Sequence, residues 1–120
     1  MAQVPILSLE SFLVVSVQDD PSDAEAEDLQ KRILESLTDS RNRGLVMDVS
    51  GMDVVDSYFC RILRDTAAMA QLMGAHTTVV GMEAGVAVTL MELGLSLDNV
   101  HTDLTLERGL EWLREKTASA

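Results

Sequence analysis

An α/β fold is what this chain predicts: a mixed, mostly parallel β-sheet with an N-terminal β-hairpin, covered by helices. Three observations carry that expectation. Two short apolar runs open the chain with almost nothing between them. Strand-like runs then alternate with runs of helical period, and capping or glycine signals punctuate the helical runs.

Residues 4–8 (VPILS) and 11–17 (SFLVVSV) are rich in β-branched residues and are separated by Leu9 and Glu10, which reads as a hairpin. Pro21 then precedes Ser22-Asp23-Ala24-Glu25, a serine followed three residues later by a glutamate, the form of a capping box. Ala26, Leu29, Ile33 and Leu37 share one helical face, so a helix is expected over 23–39, with Arg41 and Arg43 near its negative end. Residues 44–49 (GLVMDV) predict a buried strand. A turn at 50–53 and a loop at 54–57 follow. Phe59, Ile62, Leu63, Thr66, Met69, Ala70 and Met73 keep the helical period of a second helix, which Gly74 is placed to stop in a left-handed conformation. Further on, 76–81 predicts a strand, 83–93 a helix closed by Gly94, 99–101 a short strand ending at His101, and 105–116 a last helix with Leu106, Leu110 and Leu113 facing inward.

The 120 residues suffice for one domain, spanning 1–120, that buries a single core without disulfides or metal. Apolar residues at 47% and charged residues at 24% match ordinary globular proteins, so the chain is expected to fold by itself. The single cysteine, Cys60, has no internal partner, and no signal peptide or bilayer-length apolar run is visible, which predicts a cytoplasmic location. The formal net charge is -11, with 12 acids against 4 bases in residues 1–60. Such a field repels phosphate backbones and anionic lipid heads, so neither nucleic acid nor a membrane is an expected partner. A protein with a basic face is.

Little in the sequence asks for catalysis. His76, His101 and Cys60 are isolated and belong to different elements, so no metal site, no cofactor and no nucleophile–base triad is expected. The glycines are scattered and form no phosphate-cradling loop. Asp19, Asp20 and Asp48 at strand ends suggest a two-component receiver, but that chemistry needs a lysine beyond the last strand, and Lys31 and Lys116 both fall in helices. The expectation is a binding module, not an enzyme.

Attention therefore falls on Asp53-Val54-Val55-Asp56-Ser57, the loop beyond the carboxyl end of a central strand, where such folds place their functional loops. Either Asp56 or Ser57 can cap the following helix. A serine hydroxyl held there is open to a kinase, and a phosphate on it would meet free backbone N–H groups and the positive end of the helix dipole. Asp53 and Asp56 would crowd a group of about -1.5 to -2 charges, so a changed surface is expected rather than a changed fold. Tyr58 lies about 100° off the apolar stripe that Phe59 begins, which predicts a ring facing a partner. Asp53, Val54, Val55, Asp56 and Tyr58 are the candidate partner-binding residues, and Ser57 the candidate phosphorylation site.

These residues also carry a resemblance. The stretch from LVMDVSGMDVVDSYFCRILRD to VAVTLMELGL is similar to the core of a STAS domain, the family of bacterial anti-sigma factor antagonists and sulfate-transporter cytoplasmic domains. The signature matches at Asp48, at Asp56-Ser57, at Gly74-Ala75, at Gly81, and at Val86-Ala87-Val88-Thr89-Leu90 with Leu93-Gly94. Within the family the chain most resembles the RsbS-type antagonists of the stressosome, whose likeness extends to the start PILSLESFLVVSVQDD. That resemblance implies a scaffold that co-assembles with an RsbR-type STAS paralogue into a large oligomeric assembly. It also implies that the scaffold holds an RsbT-type serine kinase until Ser57 is phosphorylated, and that a cognate phosphatase resets it. Tyr58-Phe59-Cys60-Arg61 stand where antagonists of anti-sigma kinases commonly carry small residues, and Ala84-Gly85 replace a frequent proline. The alternatives that the family leaves open are a conventional anti-anti-sigma factor and an accessory ligand- or lipid-transport STAS domain.

Overall fold

Five strands form one sheet in the order β1-β2-β3-β4-β5 in the computed structural model, which describes residues 4–52, 56–94 and 100–118. Strand β1 (Ile6–Leu9) pairs antiparallel with β2 (Phe12–Gln18) around a turn at Glu10-Ser11, one residue later than the sequence predicts. Glu10 takes a left-handed conformation there, φ 57°, and its carboxylate is clamped by Arg114 at 2.7 Å. Strand β3 (Gly44–Gly51) runs parallel to β2 and to β4 (His76–Val80), and β4 runs parallel to β5 (His101–Asp103). His101 therefore opens the last strand instead of ending it.

Helix α1 (Asp23–Leu37) starts on the full capping box, with Ser22 Oγ accepting from the Glu25 N–H at 3.1 Å and the Ser22 N–H donating to Glu25 at 3.0 Å. It buries Ala26, Leu29, Ile33 and Leu37 and stops two residues short of the predicted end. Arg41 does not serve that helix end: it pairs with Asp39 at 2.7 Å and holds the Asp39 carboxyl down to about 2. Helix α2 (Ser57–Leu72) ends at Met73 with Gly74 left-handed at φ 87°, and α3 (Ala84–Glu92) ends with Gly94 at φ 66°. Helix α4 (Leu106–Ala118) closes the fold.

The alternation of β2 and β3 assigns the two faces of the sheet. Leu13, Val15, Val17, Leu45, Met47 and Val49 turn toward α1, α2 and α3, where Ile33, Phe59, Leu63 and Val86 complete the main core. Phe12, Val14, Val46 and Val80 turn the other way, toward Leu110 and Leu113 of α4. Helix α4 approaches closely because Gly109 faces β4: a Cβ there would lie 2.6 Å from Val80 Cγ1.

Candidate functional site

The carboxyl ends of β3 and β4 and the start of α2 lie at the same end of the sheet. Beyond Gly51 the chain tucks Met52 into the main core, 1% exposed. Asp53, Val54 and Val55 lie outside the described residues. Asp56 is the N-cap of α2: its backbone is extended and its carboxylate accepts from the Phe59 N–H at 2.8 Å. Ser57 is thus the first helical residue, half-buried, and its hydroxyl has no hydrogen-bond partner among the described residues. Asp56 also takes the Cys60 N–H on its carbonyl at 3.2 Å. The N–H groups of Ser57 and Tyr58 remain directed past the helix end, as the first turn of any helix requires.

Tyr58 is not turned free to solvent as the stripe argument predicts. Its ring is half-buried against the main core and its hydroxyl donates to the Glu27 carboxylate on α1. That bond pushes the phenol up to about 12, with desolvation and the charges of Glu27 and Asp23 adding to it. Periodicity within α2 cannot show a partner on another helix. Cys60 is fully buried, and burial first, then the charge of Asp56, pushes its thiol up, the behaviour of a packing group.

The apolar stripe of α2 is also narrower than its period suggests. Met69 and Met73 are exposed, as is Leu72 beside them, and α3, which packs against α2, exposes Val88 and Met91. The two histidines go elsewhere: His101 stacks on Trp112 of α4 at 4.2 Å and contacts Asp103 at 3.2 Å, and His76 meets the same indole edge-on at 6.2 Å. Among the described residues no three potential metal ligands cluster, and no helix is long and apolar enough to cross a membrane.

The family model described as STAS domain matches residues 3–109. The chain belongs to the STAS domain family. A serine-to-glutamate variant of RsbS from Moorella thermoacetica superposes with a TM-score of 0.87 at 32% identity, over 98% of this chain and 99% of that one. A chain from a structure of the molecular architecture of the stressosome gives 0.79 at 32% identity, over 94% and 98%. The RsbT co-antagonist protein RsbRA of Bacillus subtilis is 30% identical over 91 residues, 72% of this chain and 33% of that protein. This STAS chain thus spans about a third of the length of the curated relatives it matches. The unphosphorylated anti-sigma factor antagonist SpoIIAA shares the fold at 12% identity and a TM-score of 0.76. The architecture is that of stressosome and anti-sigma antagonist domains, with the hairpin edge and four helices that the sequence predicts.

Proposed function

We propose that this STAS domain is a non-catalytic stressosome antagonist in the cytoplasm: it sequesters an RsbT-type serine kinase and releases it when Ser57 is phosphorylated. The observation that carries the reading is the seat of Ser57 at the first turn of α2. It sits directly behind the Asp56 cap, half-exposed and with its hydroxyl uncommitted among the described residues. A phosphate there gains the Ser57 and Tyr58 N–H groups and the positive helix end. It also brings about -1.5 to -2 charges against Asp56 and the Tyr58–Glu27 pair. The helix start can hold the modification while a partner surface built over it becomes charged and hydrated. Similarity to RsbS and to the RsbR co-antagonists supports an assembly with an RsbR-type paralogue. Resetting by a cognate phosphatase completes the proposed cycle. Asp53, Val54, Val55, Asp56 and Tyr58 would form the rim around Ser57 that the kinase meets, with the exposed Met69, Leu72 and Met73 farther along α2.

The test is incubation with the kinase and ATP followed by mass spectrometry, with phosphate expected on Ser57. In pull-downs Ser57→Ala should keep the kinase after ATP is added, and Ser57→Asp should hold it more weakly. Modification of Ser50 alone, or an Ala variant that loses the kinase while the Asp variant keeps it, would overturn the switch.

A further inference from the structure

Access to solvent divides the methionines. Met47 and Met52 are sealed in the main core and Met82 is half-buried, whereas Met69, Met73 and Met91 are exposed. Met69 and Met73 differ from Met91 in forming a pair. They lie four residues apart at the end of α2, where Met73 is the C-cap, and that spacing sets two side chains on one helix face. Leu72, 88% exposed, stands beside them. At 40% and 43% exposure Met69 and Met73 are open to a small solute.

The pair ends a row that begins beside Ser57. Tyr58, Ile62, Asp65, Met69 and Leu72 alternate steps of four and three residues, which keeps them on one side of α2 from its first turn to its last. Near Ser57 the row is covered, with Tyr58 and Ile62 packed against the main core. At Met69 and Leu72 it lifts clear. At 1.5 Å per residue, Met69 lies roughly 18 Å along the helix axis from Ser57. A standard interface of roughly 800 Å² per partner is about 30 Å across, so one partner seated over Ser57 also reaches the methionine pair.

We propose that Met69 and Met73 are a reversible oxidation site, through which hydrogen peroxide loosens the partner held over α2 without phosphorylation of Ser57. This release rests on the kinase docking proposed above. Each thioether sulfur attacks one peroxide oxygen: an S–O bond forms, the O–O bond breaks, and the departing hydroxide takes the remaining proton to leave as water. Sulfur is oxidised by two electrons and the peroxide is reduced. A methionine sulfoxide reductase reverses the step, a dithiol becoming a disulfide while the oxygen leaves as water. The sulfoxide turns a flexible apolar side chain into a polar one, and a partner that buries it must strip water from it. Because the pair lies outside the core, that change falls on the surface and spares the packing. Cys60, the competing sulfur, is fully buried and shielded from the oxidant.

The test treats the full chain with hydrogen peroxide, removes the excess with catalase, and then adds the RsbT-type kinase without ATP. Peptide mapping should find one added oxygen on Met69 and on Met73 well before Met47 and Met52, with the melting temperature unchanged. Kinase affinity should fall about ten-fold, the scale of losing apolar contacts at an interface, and recover after methionine sulfoxide reductase with dithiothreitol. Met69→Leu/Met73→Leu keeps an apolar side chain of similar volume, so it should bind the kinase equally before and after peroxide. Met91→Leu should stay as sensitive as wild type, and so should Ser57→Ala, which has no phosphate to lose or gain. Oxidised wild type that binds as tightly as before, a lower melting temperature after oxidation, or a double leucine variant that still loses the kinase would overturn the proposed site. The untreated sample separates the two readings: a wild-type chain that fails to bind the kinase before any oxidation would sink the proposed function, and the release with it.

Discussion

The Tyr58 hydroxyl, in the first turn of α2, donates to the Glu27 carboxylate on α1, joining the helix that carries Ser57 to its neighbour across 31 residues of sequence. This is the chain's one tyrosine, so its titration can be followed directly by ultraviolet absorbance. The phenol should titrate near 12, and Glu27→Ala should bring it back toward its ordinary 10, since it removes both the acceptor and the charge. The protonated phenol is favoured by the fold. The bond's contribution to stability is thus complete below the unfolded value near 10 and is lost as pH rises through about 12. A wild-type phenol titrating near 10 would show that the pair does not form.

Capping belongs to Asp56, not to Ser57, and the two substitutions separate the roles. Asp56→Ala should cost about 1 kcal/mol, within a range of roughly 0.5–2 for loss of an N-cap. Asp56→Asn should recover most of it, because an amide oxygen also accepts from the Phe59 N–H. Ser57→Ala should leave urea unfolding nearly unchanged. If Ser57→Ala were the costlier change, the cap would have been assigned to the wrong residue.

Element order was legible because each helix carries its own punctuation: Ser22 with Glu25, Asp56, Gly74 and Gly94 all act where their chemistry predicts. What was not legible depends on other elements. The helical period leaves Tyr58 free because its partner sits on α1, and it counts Met69 and Met73 as buried because period alone does not say how wide a stripe its neighbours cover. Sequence pattern puts His101 at the end of its strand and the fold puts it at the start, because three residues give too short a pattern to fix a boundary. Ser57 is proposed from its position after a central strand, a feature of topology that sequence does convey.

Thr77 and Thr78 are buried in β4, and neither hydroxyl has a hydrogen-bond partner among the described residues. A kinase cannot reach them while the sheet is intact. Thr78→Val keeps the shape and removes an unpaired polar group, so it should be neutral or stabilising by up to about 1 kcal/mol. Measured destabilisation beyond that would mean the hydroxyl has a partner, such as a bound water.

Gly81 offers the sharpest test of how the site end of the sheet is packed. It follows β4 at φ 72°, and a Cβ there would lie 2.6 Å from Ser50 Cβ and 3.2 Å from Asp48 Oδ1. Its N–H also donates to the Asp103 carbonyl at 3.1 Å, so the backbone cannot swing away without releasing β5. Gly94 is the control, with a similar φ of 66° and open space around it. Gly94→Ala should cost the left-handed penalty alone, roughly 1–2 kcal/mol. Gly81→Ala adds the overlap with Ser50, about 1–3 kcal/mol more. Urea unfolding of the two variants measures the difference. Equal losses would show that β3 and β4 part easily at this end, and that the close approach of Ser50 to Gly81 does not hold the ends of the two strands together.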